Sequence, residues 1–109
     1  MIQVNINYRD DCIVSFSVEG HAGFADSGSD IYCAAVSAVT QTALLGLLDN
    51  LEATPEYTVE KGRLQCRLPQ ALSQRDRERA QVILSTMESG LTAMRESCAE
   101  YLQIRVRRL

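Results

Sequence analysis

Apolar and polar residues alternate along five short segments of the chain. Residues 2–8 place isoleucine, valine and tyrosine on one side and glutamine and asparagine on the other, which is the period-two pattern of a half-buried strand. The same alternation recurs at residues 14–18, 57–59, 64–68 and 102–107. Turn-forming residues at 9–11 and 61–62 join the first four segments in pairs. The pattern therefore predicts five strands, four of them in two hairpins.

Two further segments have the spacing of helices. From Ile31 to Leu51 the chain contains no proline, and apolar residues surround nearly the whole circumference. Such a helix is expected to be buried on several sides. The second helix is predicted to begin at Ser73, a suitable N-cap with Asp76 three residues on. Its buried face repeats with helical period and consists of Ala80, Ile83, Leu84, Met87, Leu91, Met94 and Cys98.

The predicted element order is ββαββαβ. Because every strand alternates, the sheet is expected to have one covered face and to be mainly antiparallel. Two helices on one face of a five-stranded sheet form an α+β two-layer sandwich. A length of 109 residues fits one domain, residues 1–109, and neither an internal repeat nor a linker interrupts it.

Charge argues against polyanionic partners. The net charge of −3 gives no long-range attraction to phosphate backbones or anionic lipid. The one basic cluster, Arg105, Arg107 and Arg108, is interpreted as a solvated strand face and tail. The first residues lack the features of a signal peptide, and no apolar run reaches the length of a membrane span. We therefore expect a cytoplasmic protein without direct contact to nucleic acid or membrane.

Four cysteines are spread along the chain, at positions 12, 33, 66 and 98. No pair has CxxC spacing, so the sequence indicates neither a zinc knuckle nor a thioredoxin-like redox motif. In a reducing compartment all four are expected to be free thiols. We expect Cys12, Cys66 and Cys98 to act as small apolar core residues. No cofactor and no metal are predicted.

Cys33 has different neighbours. Residues 22–30 have the composition of a loop, and the chain's single histidine, His21, lies just before them. If Asp30 is the N-cap of the following helix, Cys33 falls in the first turn. There, unpaired N–H groups and the helix dipole favour a thiolate and could hold a developing oxyanion. A histidine within hydrogen-bond reach would transfer the thiol proton to a leaving amine.

Spacing alone leaves other interpretations open. Cys33 could be a core residue at the start of a buried helix, and His21 could simply end a strand. Asp30 is interpreted as a helix N-cap in preference to a residue that orients a catalytic histidine. A metal site formed by His21, Asp26, Asp30 and Cys33 is a further alternative, although it matches no known ligand spacing.

Residues 20–47 resemble the Prp family of ribosomal-processing cysteine proteases. The family pattern runs Gly-His-Ala, a short glycine-containing loop, then Gly-x-Asp-[Ile/Leu]-Val-Cys-Ala-Ala-x-Ser. Residues 20–22 and 28–37 match it, with the loop length kept. Tyr32 replaces the usual valine, which changes the wall beside the cysteine without changing the chemistry.

The resemblance implies that Cys33 is the nucleophile and that His21 is the general acid and base. Asp30 matches a family aspartate, either an orienting or a helix-capping residue. The implied activity is an endopeptidase that removes the N-terminal extension of a large-subunit ribosomal protein. A homodimer is also implied, with a mobile loop, here residues 22–32, that closes over the peptide. The competing hypothesis is a non-catalytic ribosome-associated binding module with the same fold.

Overall fold

A computed structural model describes residues 1–20 and 27–109, with only the backbone described at residues 27–30. The elements within these residues follow the predicted order ββαββαβ. They are β1 (Ile2–Arg9), β2 (Cys12–Glu19), α1 (Ser27–Asn50), β3 (Glu56–Glu60), β4 (Arg63–Arg67), α2 (Gln74–Cys98) and β5 (Leu102–Arg108).

The five strands form one sheet in the spatial order β3-β4-β2-β1-β5. The pairs β1–β2, β2–β4 and β3–β4 are antiparallel, whereas β1 and β5 are parallel. The expectation of a mainly antiparallel sheet is confirmed, and the sheet is mixed. The parallel pair arises because α2 carries the chain from β4 back across the sheet before β5 begins, and parallel partners need such a crossover.

Strand register separates the two faces of the sheet. Ile6 is opposite Phe16, which is opposite Cys66 on the next strand, and all three are buried. On the other face Asn5 Nδ2 donates a hydrogen bond of 3.2 Å to Ser17 Oγ. One face is therefore apolar and covered by the helices, as predicted, and the other is polar.

The two helices pack against each other in antiparallel directions. A side chain added at Gly46 would contact Ile83, and one added at Gly90 would contact Val39. Residues later in α1 therefore face residues earlier in α2. The added Cβ atoms would make ordinary contacts, at 3.5 Å from Ile83 and 3.9 Å from Val39.

One side of α1 remains uncovered. Val36 and Leu47 are almost fully buried, but Ile31 is 67% exposed and Leu45 is 58% exposed. Burial on several sides was therefore a wrong expectation for this part of the helix. Among the described residues, 31–50 form one segment long and apolar enough to cross a membrane, a test that core helices of soluble proteins also pass. The expectation that no apolar run reaches this length was therefore wrong.

A buried carboxylate joins the beginning of α2 to the end of α1. Ser73 Oγ accepts a hydrogen bond of 3.1 Å from Asp76 N–H, so the predicted N-cap is confirmed. The Asp76 carboxylate, 2% exposed, accepts hydrogen bonds from the N–H groups of Glu52 and Ala53. These donors, Ala53 first, hold the pKa of Asp76 below its usual value.

The four cysteines are free thiols. Cys66 and Cys98 are buried in the core, as predicted, whereas Cys12 is only half-buried. Burial raises the pKa of Cys66 to about 12, because an apolar environment disfavours the thiolate.

Candidate active site

Helix α1 begins at Ser27, four residues before the predicted start at residue 31. The expected loop is thus helical from residue 27, and Asp30 lies inside the first turn of α1. The N-cap interpretation of Asp30 is therefore wrong. Serine and aspartate are common in loops and also in first helical turns, where the dipole favours a negative charge. Composition alone could not distinguish the two.

Because α1 begins earlier than predicted, Cys33 lies further from the N-terminal end of the helix. Cys33 is the seventh residue of α1 and lies in its second turn, so the first-turn prediction is wrong. The four N–H groups without an acceptor inside a helix are those of its first four residues, here 27–30. Cys33 N–H belongs to the internal ladder instead. The dipole effect falls off within one turn, and Cys33 lies beyond that turn.

Cys33 lies at the boundary between core and surface. Its side chain is half-buried and packs against the hydrophobic core together with Tyr32. The next residue, Ala34, is exposed, and Ala35 is half-buried. The two side chains that follow Cys33 are thus single methyl groups, one of them exposed.

Tyr32 connects the beginning of α1 to the link between α2 and β5. Its ring stacks on Tyr101 with centroids 5.3 Å apart and an angle of 23° between the planes. Tyr101 N–H donates to the Cys98 carbonyl oxygen at 2.9 Å, and its own carbonyl oxygen accepts from Ile2 N–H at 2.8 Å. The ring beside Cys33 therefore rests on a residue bonded to the beginning of β1.

Gly20, directly after β2, leads the chain to His21. Its φ of +99° is one that side-chain-bearing residues rarely adopt, and an added Cβ would lie 2.5 Å from the Met1 carbonyl oxygen. Its N–H donates to the Gly62 carbonyl oxygen at 3.1 Å. Only glycine fits here without a shift of the backbone. In the sequence, Gly20 was identified only as the first residue of the matched motif, and its backbone role was not predicted.

These contacts bring the residues that precede His21 and Cys33 to the same end of the sheet. Gly20 approaches the backbone of Met1 and Ile2, and the stacked pair described above connects Ile2 to the beginning of α1. His21 itself and residues 22–26 lie outside the described residues. The predicted cleft shared by His21 and Cys33, and the mobility expected for this loop, therefore stay predictions.

The alternative metal site also extends beyond the described residues, since it needs His21 and Asp26. Among the residues whose side chains are described, 1–20 and 31–109, no group of three or more His, Cys, Asp or Glu residues is placed to hold a metal ion.

Comparison with known proteins assigns the chain to a family. The family described as cysteine protease Prp matches residues 1–103. The ribosomal processing cysteine protease Prp of Bacillus subtilis is 30% identical over 107 residues, which cover 95% of this chain and 96% of the relative.

Solved structures have the same fold. An S. aureus ribosomal processing protease Prp in complex with a substrate peptide superposes with a TM-score of 0.83 at 25% identity, covering 97% of this chain and 99% of that one. The same protease with a covalently linked product peptide gives 0.81 at 26% identity and the same coverage. A Streptococcus mutans protein gives 0.88 at 24% identity, covering 100% of this chain and 96% of the other, and shows the fold alone. The chain belongs to the Prp family of cysteine proteases.

Proposed function

We propose that this protein cleaves the N-terminal extension from a large-subunit ribosomal protein, with Cys33 as nucleophile and His21 as general acid and base. The observation that carries the proposal is the position of Cys33. It is half-buried, next to an exposed alanine, at the end of the sheet where the strand leading to His21 also ends. The complexes of the S. aureus protease with substrate and product peptides support a peptide substrate.

The proposed chemistry uses two side chains. His21 takes the proton of the Cys33 thiol, and Sγ attacks the carbonyl carbon of the scissile peptide bond. When the C–N bond breaks, the amine leaves with the proton from His21. Water then attacks the acyl thioester, passing a proton to His21, which returns it to Sγ as the bond to sulfur breaks. The N–H groups of residues 27–30, at the beginning of α1, are the helix donors available to an oxyanion.

Asp30 has one proposed role left. Because it lies inside the first turn of α1, a capping role does not apply. We propose that it orients His21, as its match to the family aspartate suggests. An uncharged residue of similar shape at this position is then expected to slow cleavage without preventing peptide binding.

The remaining proposals concern the protein's state in the cell. We propose one catalytic domain, residues 1–109, which acts in the cytoplasm as a homodimer without a cofactor and without binding nucleic acid. The uncovered side of α1 supports the dimer. Ile31 and Leu45 are exposed there, and residues 31–48 include no charged side chain. A helix that is apolar all round is normally covered on all sides.

The test is cleavage of a peptide that spans the extension and its junction with the mature ribosomal protein. Cys33→Ala is expected to reduce cleavage to background while the circular dichroism spectrum stays unchanged. Cys12→Ala is the matched control, because Cys12 is another half-buried free thiol, and it is expected to cleave normally. Mass spectrometry of the wild type mixed with peptide should detect an acyl group on Cys33.

Two results would contradict the proposal. Cleavage by Cys33→Ala at the wild-type rate would exclude this nucleophile. Peptide binding by the wild type with no product and no acylated Cys33 would favour the binding module instead. The presence of both Cys33 and His21 in one family motif favours the enzyme.

A further inference from the structure

The stacked pair of Tyr32 and Tyr101 has a geometry suited to holding the nucleophile in place. We propose that Tyr32 and Tyr101 are positioning residues, and that their stack fixes the beginning of α1, and with it Cys33, at the catalytic end of the sheet. This inference rests on the proposed function, because it concerns the reaction of Cys33 with a peptide. It assigns no chemical step to either tyrosine.

The first part of the argument is that Tyr101 is a fixed platform. Its N–H bonds to the carbonyl oxygen of Cys98, a residue buried at the end of α2, and its carbonyl oxygen bonds to Ile2 N–H in β1. Both peptide groups of Tyr101 are thus tied to core elements. The backbone that carries the ring is therefore fixed relative to the sheet.

The second part is that Tyr32 is a principal anchor for the beginning of α1. Among the helix residues whose side chains are described, from residue 31 onward, the first fully buried one is Val36. Between residues 31 and 35, Tyr32 and Cys33 pack against the core, whereas Ile31 and Ala34 are exposed. Within residues 31–35, Tyr32 has the largest side chain that packs against the core, and it lies directly before Cys33.

The third part is the short distance between anchor and nucleophile. Tyr32 and Cys33 are consecutive in α1, so their Cα atoms are about 3.8 Å apart, and a shift of the ring moves the thiol with it. A misplacement of ~1 Å in an active site can reduce the rate by a factor of about 100. In the family pattern that residues 20–47 resemble, position 32 is valine, which has no ring to stack.

The experiment compares kcat and KM for the junction peptide among tyrosine variants, at a temperature where thermal unfolding shows each variant to be folded. Tyr32→Ala and Tyr101→Ala are each expected to lower kcat about tenfold or more, with KM changed less than about threefold. Tyr32→Phe keeps the ring at position 32 and is expected to restore kcat to within about threefold of the wild type. Tyr57→Ala, at an exposed tyrosine of β3, is the matched control and should cleave normally.

The double variant separates a pair from two independent residues. If the stack acts as one unit, the loss of kcat in the double alanine variant should be close to that of either single variant. If the kcat losses of the two single variants instead multiply in the double variant, the tyrosines act independently and the paired role is overturned. A wild-type kcat in folded Tyr32→Ala would overturn the inference, as would an effect confined to KM, which would make Tyr32 a peptide contact. In all three cases the wild type still cleaves, whereas failure of the proposed function would appear as a wild type no more active than Cys33→Ala.

Discussion

Gly20→Ala tests whether the backbone at the end of β2 determines the position of His21. The substitution adds a single methyl group, outside the residues that we assign to the chemistry. We expect it to lower both the unfolding temperature and the rate of peptide cleavage. The expected loss of cleavage is larger than the loss of folded protein, because the strain lies one residue before His21.

The magnitude follows from two features of the site. A side-chain-bearing residue held in a sparsely populated region of φ, here +99°, costs about 1–3 kcal/mol. Part of this is offset, by about 0.4–1 kcal/mol, because alanine has less freedom than glycine in the unfolded chain. The Met1 carbonyl oxygen, 2.5 Å from the added Cβ, must also move. A net loss of about 2 kcal/mol corresponds to a decrease in unfolding temperature of roughly 8 °C or more for a chain of this size.

The assay pairs thermal unfolding with kcat/KM for the junction peptide at 25 °C. Gly90→Ala, inside α2, is the matched control. Its added Cβ would contact Val39 of α1 at an ordinary distance of 3.9 Å. It is expected to raise stability by up to ~1 kcal/mol and to leave cleavage unchanged. If Gly20→Ala unfolds at the wild-type temperature and cleaves at the wild-type rate, the strain argument is wrong.

Two further predictions concern the pH dependence of stability. Because the pKa of Asp76 is lowered in the folded protein, its contribution to stability is present above the unfolded-state pKa of 3.8 and is lost as the pH falls below that value. Asp76→Asn should therefore lower the unfolding temperature at pH 7 and flatten the acid side of the plot of unfolding temperature against pH. An unchanged acid side would contradict this prediction. Because the pKa of Cys66 is raised from 9.0 to about 12 in the folded protein, stability is lost as the pH rises from 9 towards 12. Cys66→Val should reduce this alkaline loss of stability, measured by denaturant titration. An undiminished loss would show that another group causes it.

The strands could be predicted from the sequence because their signal is local. Alternation with period two is present within each segment, and a covered sheet face requires it. The beginning of α1 could not be located in the same way. The residues Ser27-Gly28-Ser29-Asp30 suit both a loop and a first helical turn, and only the surrounding fold decides between the two. The parallel pairing of β5 with β1 was not predicted, because alternation within a strand does not identify its neighbour.

In the candidate site, too, the residues marked by a local sequence pattern could be predicted, and those brought together by the fold could not. Cys33 and His21 were identifiable because the motif that carries them is contiguous in the sequence. Tyr101 was not, because it meets Tyr32 only through the return of the chain from α2 into β5. The role of Gly20 depends on its φ and on the nearby Met1 carbonyl group, and neither is encoded in a local pattern.

The pairing of β1 with β5 has a consequence for the order of folding. Ile2 pairs with Leu102, and closing a loop of roughly a hundred residues costs more entropy than closing either hairpin. Local elements such as the β1–β2 hairpin can form first, whereas non-local contacts form slowly. Tyr101, which stacks on Tyr32 beside Cys33, lies at the entrance to this last strand. We therefore expect Cys33, the proposed nucleophile, to reach its working position only when the sheet is complete, so that partly folded chains cannot act as proteases.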